Sequence, residues 1–415
     1  MVVVHDVSSA PPPAVVVGVD SITGLQTARI LAARGVPVLG VARDPKHFCC
    51  RTRVCRRILF TDTTSDALID LLEDLGATFD QRGVLVPCSD AEVLLISRFR
   101  DRLEPAFHVP LPPHHVVETL MDKLRFYRFA QQHGLQIPRT MFLSSADDAE
   151  RASREMTFPV VLKPPYRTAR WRAEGFRKVY RVGAPTEIRP AYERLALAAP
   201  ELVAQEWVEG PESELYSCNA YFDGAGTPLV TFVSRKIRQW PPGQGISSLG
   251  VECRNDTVLG ESLRLFRSIP YRGLGYVEMK RNVRTGEHFI IEPNIGRPTA
   301  RSPIAEAGGV ELLYTMYADT VGLPLPTRRE QRYRGAKWVY LRFDTQSAFH
   351  YFRRRQLTIS DWLRSWRGIR SDAVFSWRDP LPFWVDIFTA ARKAMAVARG
   401  RPVRKKSLRE LLRAG

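Results

Sequence analysis

Gly275-Tyr276-Val277-Glu278-Met279-Lys280 and, after a short turn, Phe289-Ile290-Ile291-Glu292-Pro293-Asn294 are the two segments that decide how this chain is read. They have the composition of paired β-strands, in which successive side chains point to opposite faces. Between them, Arg284-Thr285-Gly286 puts a glycine where a three-residue hairpin loop needs a left-handed residue. Counted outward from Thr285, Glu278 and Glu292 are each seven positions away. The hairpin therefore sets them opposite one another on one face, with β-carbons roughly 5 Å apart. Like charges so placed repel, and apolar neighbours make isolated carboxylates costly. A divalent cation removes both penalties, and Asn294, on the same face as Glu292, offers a third oxygen. The plainer alternative is an exposed face with two solvated acids, and a one-residue slip of register would separate the pair.

The chain has 415 residues, more than one core usually holds, so two or three packed units are expected. No apolar run reaches the ~18 residues of a membrane-spanning helix, and residues 1–6 lack a signal-peptide pattern. Six scattered cysteines suit a reducing compartment, so a cytoplasmic location is expected. Cys49-Cys50 with Cys55 lacks the second ligand pair of a zinc site. The net charge of +17 is unevenly placed: residues 328–415 hold 22 Lys/Arg and 7 Asp/Glu, a balance of +15. Basicity is a property of the tail.

Residues 14–19, 24–34 and 36–42 read as strand, helix and strand, a β-α-β unit of a doubly wound sheet. Its first turn has Gly18 and Gly24 but lacks the G-x-G opening of a dinucleotide fingerprint, and Arg43 follows the second strand where an acid is needed. Both glycines are therefore assigned to the turn and to packing. This α/β unit ends near Pro113. A helix opens at Asp122-Lys123, an apolar strand ends at Lys163, and Leu202-Val203-Ala204-Gln205-Glu206-Trp207-Val208-Glu209-Gly210 is a strand running into a loop. Strands at 214–223 and 229–237 and a helix at 257–265 precede the acidic hairpin. Clustered antiparallel strands with interspersed helices predict an α+β body over 114–327.

In this order the motifs resemble the ATP-grasp superfamily of ATP-dependent ligases over roughly residues 14–327. The elements that carry the resemblance are a degenerate α/β unit, Asp122-Lys123, the strand-end Lys163, the hinge Gln205-Glu206-Trp207-Val208 with Gly210, Glu214, and the Glu278/Glu292-x-Asn294 hairpin. Each alone is weak; the set in sequence order is specific. The resemblance implies an ATP-grasp fold behind a Rossmann-like N-terminal domain (1–113), an ATP-clamping domain in two parts (114–327), and a basic, aromatic-rich helical extension (328–415). It also implies a carboxylate–amine ligase that makes an acyl phosphate from ATP and passes it to an amine, releasing ADP and phosphate. Lys123 and Lys163 would hold the α- and β-phosphates, the backbone of Gln205, Glu206, Trp207 and Val208 would read adenine, and Glu214 would take the ribose. Glu278, Glu292 and Asn294 would hold two Mg²⁺ ions, or Mn²⁺. Arg297 would steady the transferring phosphoryl group electrostatically, with Arg301 as the alternative because Asn294-Ile295-Gly296-Arg297 is one residue longer than the family's asparagine-x-arginine. Glu212 competes with Glu214 for the ribose. The Ser/Gly-rich lid of the family is replaced by an arginine-rich stretch over 165–178, which suits either phosphates or an acidic substrate.

Substrate choice is expected in 234–248, where alternation puts Lys236 and Arg238 on one face, toward an anionic group. Within the superfamily the chain most resembles the branch that includes D-aspartate ligase, through Ser213, Ser217, Ala220-Tyr221-Phe222-Asp223 and the loop from Lys236 to Pro242. That branch implies a small amino acid's carboxylate as donor. Aromatics interleaved with cations beyond 328 fit an anionic membrane surface at the inner face, or a lipid-linked phosphate acceptor. Nucleic acid fits less well, since no recognisable module is present. A solvated helical appendage is the plain alternative. Two other classes compete with the ligase: a nucleotide-binding regulator without turnover, and a phosphate-polymer or nucleic-acid binder acting through the tail.

Overall fold

The computed structural model describes residues 10–165, 169–177, 179–243, 245–299 and 301–398. Ala14–Val17 (β1), a run with no polar side chain, is fully buried on both faces, as strands of a parallel sheet must be. Val38–Ala42 (β2), Arg57–Phe60 (β3), Gly83–Pro87 (β4) and Phe107–His108 (β5) join it in the all-parallel order β3-β2-β1-β4-β5. The helix after β1 spans Ile22–Ala32, begun by Ser21, whose hydroxyl accepts the Gly24 amide at 3.0 Å. Gly18 is left-handed, and a Cβ on it would lie 2.8 Å from the Glu92 carboxylate. That carboxylate accepts the amides of Cys88 and Ser89 at 3.0 Å each, closing a capping box with Ser89. An acid thus fills the turn where a dinucleotide fold would seat a phosphate. A Cβ on Gly24 would strike the Gly18 carbonyl, so both glycines serve turn and packing.

Four strands form a small antiparallel sheet: Thr140–Leu143 (β6), Val160–Lys163 (β7), Tyr180–Val182 (β8) and Leu202–Glu206 (β9), in the order β6-β9-β7-β8. Helices Ala146–Glu155 and Pro185–Ala196 supply Ala149, Ala152, Ile188 and Leu195 to the core beneath it. Sequence periodicity missed β6 and β8, each only three or four residues long.

The third sheet is the largest. Leu215–Phe222 (β10), Pro228–Trp240 (β11), Ile246–Glu252 (β12), Gly273–Arg281 (β13) and His288–Ile295 (β14) are continued by Lys337–Val339 (β15) and Ile369–Asp372 (β16). Their order is β14-β13-β10-β11-β12-β15-β16, antiparallel except for the last pair. Expected as a helical extension, the basic stretch does supply helices at Leu341–Arg353, Ile359–Ser365 and Leu381–Ala398, but it also completes this sheet. Trp338 of β15 is 1% exposed within a core shared with Leu25, Phe232 and Met316. The central sheet therefore does not end at residue 327.

Candidate active site

Glu278 and Glu292 are register partners on β13 and β14, as the hairpin reading required. The route to that pairing differs. At the turn the partners are Arg281 and His288, one residue out of the predicted register, with Gly286 left-handed in the loop. A β-bulge after Glu278 leaves Ile291 unpaired and restores the acidic pair. Tyr127 holds that bulge: its hydroxyl donates to the Ile291 carbonyl at 2.8 Å and accepts from Lys163 Nζ at 3.1 Å. Tyr127 lies on the Lys123–Gln132 helix, so one phenol ties that helix, the end of β7 and the strand that carries Glu292 together. Sequence reasoning missed it. The available signal was a tyrosine one helical turn after Lys123, on its buried side.

Each acid meets a lysine. Lys236 Nζ lies 3.1 Å from Glu278 Oε1, and Lys123 Nζ lies 3.6 Å from Glu292 Oε1. Lys236 reaches Glu278 across the intervening strand over Ser217, which is paired with Glu278 and hydrogen-bonded to Ser234 at 3.0 Å. Burial pushes the Glu278 carboxyl up, but Lys236 and Arg301 outweigh it and hold the group below its ordinary range. Asn294 Oδ1 accepts from Arg297 Nη2 at 2.7 Å, and Arg297 is also paired with Asp90. Each of the three candidate metal-binding side chains thus already faces a cation, Glu278 and Asn294 through hydrogen bonds and Glu292 through a longer ion pair. Two carboxylates and an amide oxygen suit a hard divalent ion that completes its shell with phosphate and water oxygens. Among the described residues no three His, Cys, Asp or Glu side chains are grouped to hold a metal without such help.

A cavity of about 550 Å³ opens beside this cluster, lined by Asp90, Met121, Lys123, Pro164, Glu292 and Asn294 among others. Lys163, 8% exposed at the end of β7, donates to Gln205 Oε1 at 2.6 Å, and Gln205 in turn donates to Thr140 Oγ1 at 2.9 Å. In the hinge, the Glu206 amide donates to the Arg139 carbonyl and that of Trp207 to the Pro159 carbonyl. Lys280 stands over the Trp207 indole, 4.7 Å from its centroid. Glu214 is 3.6 Å from Arg281, whereas Glu212 accepts from the Gly243 amide and from Gln239 Nε2 at 3.1 Å, beside Lys236.

Two expectations need correction. Arg238 does not turn to a substrate anion: Nε and Nη2 each donate to a different carboxylate oxygen of Asp344, at 2.8 Å. Register shifts on either side of Arg238 accompany its departure from simple alternation. The loop expected from Lys236 to Pro242 is also mostly strand, because β11 runs on to Trp240 and Ile246 already starts β12; Gln244 lies outside the described residues. Within the arginine-rich stretch, Tyr166, Arg167, Thr168 and Lys178 lie outside them too. Trp171, fully buried, anchors the short helix between, its indole donating to the Arg177 carbonyl at 3.1 Å.

No family model matches the chain. D-aspartate ligase of Enterococcus faecium (strain Aus0004) is 22% identical over 241 residues, 55% of this chain and 57% of that protein. D-alanine–D-alanine ligase of Pseudomonas putida (strain GB-1) is 32% identical over 92 residues, 22% of this chain and 27% of that one. The chain thus spans about half, or less, of the length of these curated relatives. The solved N5-carboxyaminoimidazole synthetase of Staphylococcus aureus superposes with a TM-score of 0.62 at 13% identity, over 79% of this chain and 81% of that one. The chain therefore has the ATP-grasp fold, and over about half its length its sequence is similar to that of D-aspartate ligase.

Proposed function

We propose that the protein is an ATP-dependent carboxylate–amine ligase. It would activate a small amino acid's carboxylate as an acyl phosphate and pass it to an amine, with release of ADP and phosphate. The observation that carries this reading is the facing pair Glu278 and Glu292, each with a lysine, at the edge of a cavity. D-aspartate ligase and D-alanine–D-alanine ligase, by name ligases of small amino acids, support the same reaction class. Mg²⁺ bound by Glu278, Glu292 and Asn294 would supply charge neutralisation along the triphosphate. Lys123 and Lys163 hold phosphate oxygens as point charges, and the hinge from Gln205 to Val208 takes the base. Among the described residues, the Val208 amide is the one of the last three hinge amides that no neighbouring carbonyl takes. Glu214 takes the ribose. Lys236 and Arg297 stabilise charge on the transferring phosphoryl group and the oxyanion, an electrostatic task that needs no proton transfer.

The test is ADP release from Mg-ATP with pools of amino acids as donors and acceptors. Glu292→Ala should lower turnover at least ~100-fold, as expected for several kcal/mol of lost charge stabilisation. Its melting temperature should barely move, because Glu292 is 35% exposed. A wild-type protein that no pool stimulates, or a Glu292→Ala variant that keeps its rate, sinks the ligase reading. A regulator without turnover would instead bind Mg-ATP tightly and release no ADP.

A second contact, with an anionic membrane surface, is supported by the last described helix. Leu381, Trp384, Phe388 and Met395 form one exposed stripe along it, and Trp377 just before it is 87% exposed. A lipid-linked phosphate acceptor would use the same surface. No described helix is long and apolar enough to cross a membrane.

A further inference from the structure

The N-terminal unit meets the acidic hairpin at Arg297, and the meeting accounts for the spacing that departs from an asparagine-x-arginine pattern. Arg297 follows Asn294 across Ile295 and Gly296. This longer connection turns at Gly296, whose φ of +68° is left-handed. A Cβ there would lie 2.5 Å from Leu111 Cδ2 and 3.0 Å from Val93 Cγ1, both side chains being fully buried. Val93 belongs to the helix Asp90–Arg98 that follows β4. The Gly296 amide also donates to the Leu274 carbonyl at 2.7 Å. The loop after β14 is thus seated against the N-terminal unit.

The first turn of that helix uses its two acids differently. Glu92 points inward, its carboxylate accepting the amides of Cys88 and Ser89. Asp90, with a side chain 56% exposed, reaches across and accepts from Arg297 Nε. A helix N-terminus is a favourable place for that negative charge. Arg297 Nη2 donates to Asn294 Oδ1 at 2.7 Å, and the guanidinium stands 5.7 Å from the Tyr276 ring centroid. Nη1 makes no hydrogen bond among the described residues. A long side chain that follows a glycine has no fixed aim unless something outside its own loop grips it. A carboxylate on Nε provides that grip and leaves Nη1 to meet another oxygen.

We propose that Asp90 is a positioning residue: with the loop seated at Gly296, it aims Arg297 at the transferring phosphoryl group. The N-terminal unit, whose own phosphate-binding turn is filled by Glu92, thereby still serves the site. This rests on the ligase reading. Asp90 also lines the cavity that Lys123 and Glu292 line, so a direct hold on a substrate ammonium is the competing role. The two roles differ in what the loss of Asp90 changes. A positioning acid costs turnover, and only through Arg297; a binding acid costs substrate affinity whether Arg297 is present or not.

A double-mutant cycle on the full chain tests it, read as steady-state ADP release from Mg-ATP with an amino-acid pool that stimulates the wild type. Asp90→Leu should lower kcat at least tenfold. The KM for the pool and the calorimetric Kd of Mg-ADP should both stay within twofold. Arg297→Met itself should cost about 100-fold, which leaves ADP release measurable. In that background Asp90→Leu should lower kcat by less than a further twofold. The split between kcat and KM together with the vanished effect supports the positioning role. A wild-type kcat in Asp90→Leu overturns it, as does an equal loss in the Arg297→Met background. A KM for the pool raised tenfold in both backgrounds also overturns it, and assigns Asp90 to substrate binding. All of these outcomes leave the ligase reading standing, because the wild type turns over in each. If no pool stimulates the wild type, the ligase reading falls and takes this role with it.

Discussion

At the scale of single residues, the acidic pair could be read from sequence and the device that aligns it could not. Counting from Thr285 gave the right partners because two one-residue differences cancel: a turn centred half a step away and a bulge at Ile291. A bulge leaves no mark in apolar spacing, since it depends on what grips the extra residue, here the Tyr127 hydroxyl. The lysine partners carry a pH consequence. Glu278 titrates below its ordinary value in the folded chain, so its contribution to stability is complete above about pH 4.5 and is lost as pH falls through the depressed folded value. Lys236→Met removes the larger of the two cationic influences while burial continues to push the carboxyl up. The variant's unfolding free energy should therefore change less between pH 6 and pH 4, the slope falling by up to about one proton. Urea unfolding at both pH values measures this; equal slopes would mean that Lys236 does not hold the carboxylate ionised.

At the scale of elements, long features were legible and short or distant ones were not. The β-α-β unit, the Lys123 helix and the acidic hairpin carry local signals: a cap, a glycine turn, an apolar run. Strand β15, of three residues, pairs only because β12, about 90 positions earlier, presents an edge, and the four-residue β16 adds to β15 in turn; no local pattern records either pairing. The same distance hid Asp344. It is fully buried and accepts both arms of Arg238, the indoles of Trp362 and Trp366 at 2.9 and 2.8 Å, and the Ser248 hydroxyl at 3.2 Å. The Trp362-Leu363-Arg364-Ser365-Trp366 segment, read from sequence as a surface for lipid or phosphate, therefore turns both indoles inward to a carboxylate. Asp344→Asn leaves a buried guanidinium without its charge partner, which costs about 3–5 kcal/mol. The urea midpoint should fall accordingly. A loss under about 1 kcal/mol would show that the Arg238 pair is not structural.

For the whole molecule, the basic tail divides into a part that builds the sheet and a part that faces outward. Cutting the chain at residue 327 would remove Asp344, Trp338 and two strands together, so such a truncation reports on folding and cannot isolate a surface. Point changes on the last helix can. The acids of that region are spent internally, Asp379 on Arg29 and Asp386 on Arg342. Arg392 stays exposed on the same helix, and the sequence beyond 398 adds seven Lys/Arg against Glu410. An apolar stripe with surplus cations at one end has the composition of a helix lying in the headgroup layer. Trp384→Ser with Phe388→Ser in the full chain should lower binding to vesicles containing phosphatidylglycerol at least tenfold. Those two side chains are 49% and 63% exposed, so the melting temperature should stay within a few degrees. Raising the salt should weaken wild-type binding, because the tail's cations act within a Debye length. If the double variant binds as well as the wild type, the stripe does not meet lipid. If neither binds even at low salt, the outward part of the tail has a different partner or none.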